Sequence, residues 1–345
     1  MTILGLDIGG ANIKAANEIG HAVSRPFAIW KYPEKLTEQI ESIRQEFPDT
    51  TKFAVTMTAE LADCFATKSE GVRFILEQVT ACADDAPIVV WTTEGRFVSA
   101  EQASYKPTSV AAANWHALAT WVGGKLPPPN ELQSSHHSSL LIDIGTTTTD
   151  FIPIISGVPA PVGLTDVSRL QSGELCYSGV KRTPLCAIAQ SVPFRNGYCS
   201  LAAELFATTL DVYLMLGEIA EDETDLETAN GRPATLAAAH DRIARALCGD
   251  RDEVSRDDAL HIARFIADVQ RQRLAGALER VVQRAQESCR LVIVSGSGSF
   301  LARKLVAQNH RLAGADVQCL DDTLSPKIAE AACAFAVAQL AVWRN

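Results

Sequence analysis

The sequence predicts an α/β protein of two domains, and three observations support this prediction. Its 345 residues exceed one ordinary compact domain and suit two, each with its own hydrophobic core. Segments with strand patterns and segments with helix patterns are mixed in both halves of the chain. A strand–turn–strand pattern that contains Asp7 returns around Asp143, an offset of 136 positions and close to half the chain.

The first half opens with a predicted β-hairpin, whose apolar runs are 2–8 and 13–16. The other predicted elements of this half are a helix at 37–47, a buried strand at 52–57 followed by a helix start in TAELADCF, a strand at 86–93 and a helix at 109–124. The stretch 125–139, rich in proline, serine and histidine, is the best linker candidate.

The second half starts with another predicted hairpin, at 140–157, and then changes to long helices. Its remaining predicted elements are helices at 200–218, 234–247 and 256–288, a strand at 290–296, a helix from about 299, a strand at 316–322 and an alanine-rich helix at 325–344. We therefore expect a first domain at 1–135, a second at 140–324, and a helix at 325–345 that packs back on the first domain.

The composition argues against several classes of protein. A net charge of −10 disfavours unaided binding of nucleic acid, which needs a basic surface. No run approaches the roughly 18–20 apolar residues of a membrane helix, and the start MTILGLDIGG lacks the regions of a signal peptide. Nine scattered cysteines without a C-x-x-C pair indicate reduced thiols rather than a zinc site. The sequence thus predicts a cytoplasmic protein and gives no indication of its oligomeric state.

Each hairpin joins a strand that ends in aspartate, a tight turn and a returning strand, as DIGGANIK at 7–14 and DIGTTTTD at 143–150. Glycine lets backbone N–H groups approach a ligand, and successive N–H groups form a concave nest for phosphate-like anions. Threonine hydroxyls add donors for the same oxygens. The predicted anion-binding residues are Gly9, Gly10, Asn12, Gly145, Thr146, Thr147 and Thr148.

The aspartates of the two hairpins cannot themselves face a phosphate, because like charges repel. Asp7 and Asp143 would therefore each hold Mg²⁺, which takes hard oxygen ligands beside substrate phosphates. The alternative is that both segments are ordinary hairpin turns in which the aspartate satisfies the turn backbone. The second copy at domain spacing favours the functional interpretation.

A glycine–serine turn after the strand at 290–296 is the third member of the set: Gly296, Ser297 and Gly298. A dinucleotide-binding interpretation of this turn is weak, because Leu301 stands where the third glycine is required. The turn would instead close a nucleotide-like pocket over the phosphates.

In this order the three elements resemble the phosphate-1 hairpin, phosphate-2 hairpin and adenosine loop of the actin/hexokinase-type ATPases. That resemblance implies two duplicated actin/hexokinase-like (ribonuclease H-like) domains with a central cleft. A closer resemblance, over most of the chain, is to the hydantoinase/oxoprolinase-related proteins of tetrahydromethanopterin-linked one-carbon metabolism. It is carried by GLDIGGANIKAA, TMTAELADCFATKSEGV (56–72), LLIDIGTTTTDFIPI and NGRPATLAAAHDRIARALCGD (230–250).

The closer resemblance implies a transferase of methanofuran or methylofuran biosynthesis. A phenol, γ-glutamyltyramine or a tyrosine-like equivalent, attacks the methylene of an aminomethylfuran diphosphate and expels diphosphate. Two facing anion nests with Mg²⁺ suit this leaving group, because they stabilise the charge that develops on it. The implied partners are small molecules, with neither nucleic acid nor membrane.

Four further residues receive roles in this reaction, each with a plainer alternative. Lys14 would neutralise phosphate charge, or is a surface lysine. Asp150, at the equivalent position, would pair with a substrate ammonium or act as a base, or only closes a turn. Thr58 and Glu60 follow a buried strand, where α/β proteins place their sites. Thr58 would contact substrate, and Glu60 would bind the aminomethyl group or deprotonate the phenol, or else stabilises its own helix.

Other functions fit the same hairpins. One is an ATP-dependent kinase of a small molecule, for which SGSGSF is compatible with an adenine-binding loop. Another, of a different class, is a non-catalytic, ATP-switched protein like actin. A hydantoinase that opens rings usually has a much longer chain. The acidic run 217–228 is interpreted as a solvated loop, with a metal or cation site as the alternative.

Overall fold

The structure is a computed structural model that describes residues 2–125, 138–285 and 288–344. Most of the predicted linker, 126–137, lies outside the described residues. The strands are β1 (Thr2–Ile8), β2 (Asn12–Asn17), β3 (Ala22–Pro26), β4 (Thr50–Met57), β5 (Ile88–Trp91), β6 (Phe97–Ser99), β7 (Ser138–Ile144), β8 (Thr149–Ile155), β9 (Val158–Pro159), β10 (Leu175–Cys176), β11 (Ser191–Phe194), β12 (Gly197–Ser200), β13 (Cys289–Ser295) and β14 (Asp316–Cys319).

The α-helices are α1 (Leu36–Gln45), α2 (Lys68–Cys82), α3 (Ala100–Tyr105), α4 (Asn114–Lys125), α5 (Asp166–Ser172), α6 (Leu185–Ile188), α7 (Thr209–Met215), α8 (Leu236–Ala246), α9 (Arg256–Arg284), α10 (Ser299–Gln308), α11 (Leu320–Thr323), α12 (Pro326–Glu330) and α13 (Ala332–Trp343). Short 3₁₀ turns occur at Pro33–Lys35, Ala59–Leu61, Pro107–Ser109 and His310–Leu312. Within the described ranges, no helix is both long and apolar enough to cross a membrane.

The chain forms two compact units that are discontinuous in sequence. The first unit consists of Met1–Ser139, Ile152–Arg169 and Cys319–Asn345. The second unit consists of Leu140–Phe151 and Leu170–Gln318. Each predicted hairpin turn thus belongs to its own unit.

The first unit contains a six-stranded sheet in the order β3-β2-β1-β4-β5-β6. Strand β1 pairs antiparallel with β2 and parallel with β4. Because side chains alternate along a strand, β1 has two different faces. Leu4, Leu6 and Ile8 pack with residues of α1 and α2 in one hydrophobic cluster.

The opposite face of β1 is covered by the carboxyl-terminal helix α13. A Cβ added to Gly5 would lie 2.0 Å from the carbonyl oxygen of Ala334, so only glycine permits this approach. Helix α4 packs beside α13. Asp7 follows Gly5 by two residues and therefore lies on this helix-covered face.

The second unit is built around strands of a second sheet, in the order β10-β8-β7-β13-β14, with β9 paired to β8. Helices α7, α8 and α9 pack against one another. Tyr213 of α7 donates a hydrogen bond of 2.6 Å to Gln270 of α9, and both side chains are buried. A polar link thus joins these helices within the core of the unit.

A buried ion pair also joins α7 and α8. Arg242 Nε lies 2.7 Å from Asp211 Oδ1, and both side chains are only 1% exposed. The backbone N–H of Thr208 donates to Asp211 Oδ2 at 2.9 Å, and Arg242 Nη1 lies 3.4 Å from the carbonyl oxygens of Arg232 and Pro233. Burial raises the pKa of Asp211 to about 6, although the attraction of Arg242 opposes this shift.

Three predicted helices begin later than expected. The helix predicted at 200–218 starts at Thr209, where Thr208 and Asp211 form a capping box. The segment TAELADCF forms one 3₁₀ turn and then becomes extended at Ala62. Helix α2 follows, with Thr67 as its N-cap. The helix predicted at 109–124 begins only at Asn114.

The buried ion pair gives a test of the second unit. Arg242→Met should lower the free energy of unfolding by about 3–5 kcal/mol, because it leaves the Asp211 carboxylate buried without its partner. The measurement is urea unfolding followed by circular dichroism at 222 nm, since the tryptophans of the chain all lie in the first unit.

The matched control is Arg251→Met, which removes an ion pair with Asp241 whose side chains are 57% and 21% exposed. An exposed pair contributes about 0–1 kcal/mol, so this variant should unfold close to the wild type. Equal losses in the two variants would show that burial of the Arg242 pair does not govern its effect.

Candidate functional site

The turn between β1 and β2 is the first candidate site. The N–H of Gly9 donates to the carbonyl oxygen of Asn12 at 2.9 Å and closes the turn. A Cβ on Gly9 would lie 2.9 Å from that oxygen, whereas one on Gly10 would meet nothing within 4 Å among the described atoms. The Gly9 position is therefore closely packed, and the Gly10 position is open to a ligand.

Polar side chains form a row across three strands beside this turn. Asp7 of β1 is in register with Lys14 of β2 and with Thr56 of β4. Register partners project to the same side of a sheet, so the three side chains share the face that carries Asp7. In the part of the chain that is described, Asp7 Oδ1 and Thr56 Oγ1 are buried without a hydrogen-bond partner. Such orphaned oxygens are what a bound cation or donor would satisfy.

The carboxyl group of Asp7 has an unusual proton affinity. Burial raises its pKa to about 6, while the charge of Lys14 and a hydrogen bond from Asn114 act in the opposite direction. Asn114 begins α4, and its Oδ1 accepts the N–H of Trp115 at 2.8 Å. The amino end of α4 therefore stabilises the charged form of Asp7.

Thr58 and Glu60 lie at the same end of the sheet. The N–H of Thr58 donates to the carbonyl oxygen of Ile8 at 2.9 Å, and Thr58 Oγ1 would be 3.6 Å from a Cβ on Gly9. Thr58 is therefore adjacent to the first turn. Glu60 follows in the 3₁₀ turn and is 1% exposed.

Glu60 is a buried acid whose pKa lies close to neutral. Burial raises its pKa to about 7, and the charge of Asp166 acts in the same direction. Hydrogen bonds from the backbone N–H groups of Glu60 itself and of Ala112 lower the pKa, as does the charge of Lys68. Its Oε2 lacks a hydrogen-bond partner among the residues described. Ala112 has a positive φ of 47°, a strained conformation that directs its backbone toward the glutamate.

The turn between β7 and β8 repeats the first turn in the second unit. The N–H of Gly145 donates to the carbonyl oxygen of Thr148 at 2.9 Å, the equivalent of the Gly9–Asn12 bond. The hydroxyls of Thr146 and Thr147 lie 3.4 Å apart and are half-buried. The duplication inferred from the sequence thus extends to the backbone hydrogen bond.

The glycine–serine turn lies against the end of β7. The N–H of Gly298 donates to the carbonyl oxygen of Ile144 at 2.8 Å, as Thr58 does to Ile8 in the first unit. Gly296 has a φ of 86°, and a Cβ there would lie 2.4 Å from the Ile144 oxygen and 2.6 Å from Asp143 Oδ1. Glycine is therefore required beside Asp143, and Ser297 between the two glycines is exposed.

A segment that the sequence analysis did not single out supports the second turn. A Cβ on Gly179 would lie 2.5 Å from Thr146 C and Thr147 N, so the backbone of Gly179 is in direct contact with the turn. The N–H groups of Lys181 and Arg182 both donate to the carbonyl oxygen of Thr146 at 3.0 Å. These bonds fix the conformation of the threonine turn from the outside.

The segment around Gly179 is itself anchored to the helices of its unit. Gln270 Nε2 donates to Gly179 O and Ser178 Oγ at 2.9 Å each, and Thr209 Oγ1 donates to Gly179 O at 2.9 Å. Thr183 Oγ1 accepts the N–H of Gly179 at 3.0 Å. The position of the turn therefore depends on α7 and α9.

The structure groups the predicted site residues by unit. One end of the first sheet contains Asp7, Gly9, Gly10, Asn12, Lys14, Thr58 and Glu60. The second turn and its neighbours contain Asp143, Gly145, Thr146, Thr147, Thr148, Gly296 and Gly298. Asp150 is buried in β8 and is in register with Leu175 of β10. The roles of all these residues stay predictions.

Sequence reasoning missed Thr56, Asn114, Gly179 and Lys181. Thr56 was overlooked because it lies in an apolar strand. Side chains alternate along a strand, so Thr56 could have been placed on the same face as Thr58, two residues later. Asn114 carried the signal of a residue preferred at the start of a helix. Gly179 and Lys181 had no local signal, because their contacts are made far along the chain.

The first site offers a divalent metal ion few protein ligands. Among the described residues, no group of three or more His, Cys, Asp or Glu side chains gathers around one point. Mg²⁺ commonly uses only one or two carboxylates, with water and substrate phosphates as its other ligands. The orphaned Oδ1 of Asp7 beside Thr56 fits that pattern.

Comparison with known proteins finds a family model and named relatives that match the chain. A family model described as hydantoinase/oxoprolinase matches residues 52–342. A Methanocaldococcus jannaschii protein named (4-{4-[2-(gamma-L-glutamylamino)ethyl]phenoxymethyl}furan-2-yl)methanamine synthase is 30% identical over 344 residues, 98% of this chain and 97% of the relative. A Methanococcus vannielii protein of the same name is 37% identical over 131 residues, 38% of this chain and 59% of that relative.

Solved structures agree with the predicted fold class. The solved structure of acetone carboxylase aligns with a TM-score of 0.55 at 11% identity, over 97% of this chain and 70% of that one. That structure is described as nucleotide-free, and the reaction of acetone carboxylase as ATP-dependent. At this identity the likeness shows the fold alone, and it confirms the α/β, actin/hexokinase-like class. The family resemblance found in the sequence is confirmed as well. The chain belongs to the hydantoinase/oxoprolinase family.

Proposed function

We propose that the chain is a transferase of methanofuran- or methylofuran-type cofactor biosynthesis. It condenses an aminomethylfuran diphosphate with a phenol, γ-glutamyltyramine or a tyrosine-like equivalent, and releases diphosphate. The proposal is supported by the synthase relative that aligns over 98% of the chain. The structural observation that carries it is the glycine turn repeated in the two units, each beside an aspartate at the end of a strand.

The leaving group defines what the turns do. As the carbon–oxygen bond to diphosphate breaks, negative charge grows on the departing oxygens. Backbone N–H groups and threonine hydroxyls fixed in advance stabilise this charge without reorganising. In the second unit, Thr146, Thr147 and Thr148 supply the hydroxyls, and contact with Gly179 holds them in place.

Asp7 in the first unit and Asp143 in the second are the residues that would each hold Mg²⁺. The ion, when bound, would neutralise charge on the diphosphate oxygens. Lys14, whose charge already acts on Asp7, would contribute a further positive charge beside the first turn. Gly296, Ser297 and Gly298 would bound the anion site of the second unit next to Asp143.

Glu60 is proposed as the general base. Its carboxylate removes the phenolic proton, the phenolate oxygen forms a bond to the furan methylene carbon, and the bond from that carbon to diphosphate breaks. A base whose pKa lies close to the working pH is half deprotonated there and still accepts a proton readily. Thr58 would contact the substrate, and Asp150 would pair with its ammonium group.

A small-molecule kinase is the second candidate function. The reaction of acetone carboxylase, a protein of the same fold, is described as ATP-dependent, and turns that hold a diphosphate would equally hold the phosphates of ATP. The two functions differ in the product that is released, diphosphate or ADP. An assay with ATP therefore distinguishes them.

Purified protein with Mg²⁺, aminomethylfuran diphosphate and a tyramine-type phenol should release diphosphate only when the phenol is present. Asp7→Asn and Asp143→Asn should each lower the rate at least roughly a hundredfold, the loss typical of one removed electrostatic contact to a transition state. Diphosphate release is measured by a coupled assay, and ADP is measured in parallel with ATP and the same phenol.

Asp63→Asn is the control for these variants, because Asp63 is an exposed carboxylate near the same end of the first sheet. It should leave the rate unchanged. ADP formation without diphosphate release would replace the transferase by the kinase, and no product in either assay would contradict both.

The pKa of Glu60 predicts how the rate depends on pH. A base must be deprotonated, so kcat/KM should fall tenfold per pH unit below about 7, the pKa of the buried carboxyl. Glu60→Gln should lower the rate by roughly 10²–10⁴-fold and remove this limb of the profile. A profile with the same limb in Glu60→Gln would assign it to another group.

The same shift has a consequence for stability. Because the folded pKa is raised from 4.5 to about 7, the stabilisation from this group is complete below pH 4.5 and is lost as pH rises through about 7. In urea unfolding at pH 8, Glu60→Gln should therefore have a higher midpoint concentration than the wild type. The difference between the two midpoints should vanish below pH 4.5.

Gly179→Ala tests the support of the second turn. A methyl group 2.5 Å from Thr146 C and Thr147 N must displace the turn, so the dissociation constant for Mg²⁺-diphosphate should rise roughly tenfold or more. Gly276→Ala adds the same methyl in α9, where it meets nothing within 4 Å among the described atoms, and should have no effect. Equal affinities in the two variants would contradict the role of Gly179.

A further inference from the structure

Lys181 is a cation attached to the threonine turn of the second unit by its backbone. Its N–H donates to the carbonyl oxygen of Thr146 at 3.0 Å, and its carbonyl oxygen accepts the N–H of Leu210 at 3.2 Å. The backbone of Lys181 is therefore held between the turn and α7. Its side chain is 36% exposed.

The ammonium group of Lys181 lies near an acidic loop, residues 217–228. Its Nζ is 3.4 Å from Asp225 Oδ2, at the long end of an ion-pair contact. Lys181 also acts on Asp222, whose pKa is lowered chiefly by hydrogen bonds from Thr224. The loop thus offers the lysine carboxylate partners.

We propose that Lys181 is an anion-binding residue of the second hairpin, and that Asp225 holds its ammonium group when no anion is present. The proposal rests on the proposed function in one respect, because it takes the Gly145–Thr148 turn to bind the diphosphate. The ligand class is a phosphate-type anion with more than one negative charge.

The geometry favours an exchange of partners. A lysine side chain reaches about 6 Å from its Cα, and the Cα of Lys181 is one bond from the nitrogen that contacts Thr146. An ion pair of 3.4 Å between side chains that are 36% and 20% exposed, with a single carboxylate, is weakened by the surrounding water. A diphosphate carries more charge and several acceptor oxygens, so it competes with Asp225 for the ammonium.

The chain contains a matched pair that lacks this geometry. Lys304 of α10 forms an ion pair with Glu218 of the same acidic loop, and its side chain is 50% exposed. Its backbone belongs to a helix and makes no described contact with the Thr146 turn. Lys304 therefore separates the effect of a nearby positive charge from the effect of a lysine attached to the turn.

The test is calorimetric titration of the full-length protein with inorganic diphosphate in the presence of Mg²⁺. Lys181→Met should weaken binding at least roughly tenfold, the loss expected for one charge-assisted hydrogen bond, and Lys181→Arg should recover most of it. Asp225→Asn should tighten binding by about two- to fivefold, because it releases the ammonium from its competitor. Lys304→Met should change the affinity less than about twofold.

A double-mutant cycle separates this role from a merely structural one. In the Lys181→Met background, Asp225→Asn should have no further effect on diphosphate affinity, since the aspartate acts only through the lysine. Unchanged thermal unfolding of Lys181→Met shows that the variant is folded. The difference between wild type and Lys181→Met should also shrink as salt is raised.

Diphosphate binding by Lys181→Met as tight as that of the wild type would overturn the inference and leave the proposed function standing. An effect of Asp225→Asn that persists without the lysine would overturn the part assigned to Asp225. If binding depends on Lys181 but the furan diphosphate is not condensed with a phenol, the inference holds and the proposed function fails.

Discussion

The hydrogen bond from a glycine N–H to the carbonyl oxygen three residues later is the constraint on which both candidate sites depend. It occurs at Gly9 and again at Gly145, with the same length of 2.9 Å. By closing the turn, the bond ends one strand and begins the next, so the aspartate two positions earlier always stands at the end of a strand. A residue that follows the neighbouring strand then donates to the last residue of that strand: Thr58 in one unit and Gly298 in the other.

The two units differ in the charged and polar groups that surround this turn. Beside its turn, the first unit buries the carboxyl groups of Asp7 and Glu60, whose pKa values are raised mainly by desolvation. The residues around the start of α4 limit that cost, through Ala112 for the glutamate and Asn114 for the aspartate. The second unit instead surrounds its turn with hydroxyls and backbone donors, fixed by Gly179 and the helices behind it. One fold element thus serves two electrostatic environments.

The sequence was sufficient for the features that depend on local pattern. Both hairpins, the buried strand β4 and the glycine turn after β13 are predictable, because apolar alternation and glycine at a tight turn are local requirements. The late start of α7 followed from a capping box that competes with helix periodicity. The supports of the site were not predictable, since Gly179 meets Thr146, and Gln270 meets Gly179, only after the chain has folded. The discontinuity of the first unit has the same origin.

That discontinuity has a consequence for the order of folding during synthesis. Helix α13, which covers the Asp7 face of β1 and excludes any side chain at Gly5, is made after every residue of the second unit. The second unit is contained within 140–318 and is available to fold while the first sheet still lacks this helix. During synthesis, the face of the first sheet that α13 will cover therefore stays exposed until the second unit has been made. The alanine-rich helix α13 then packs on this face and buries it.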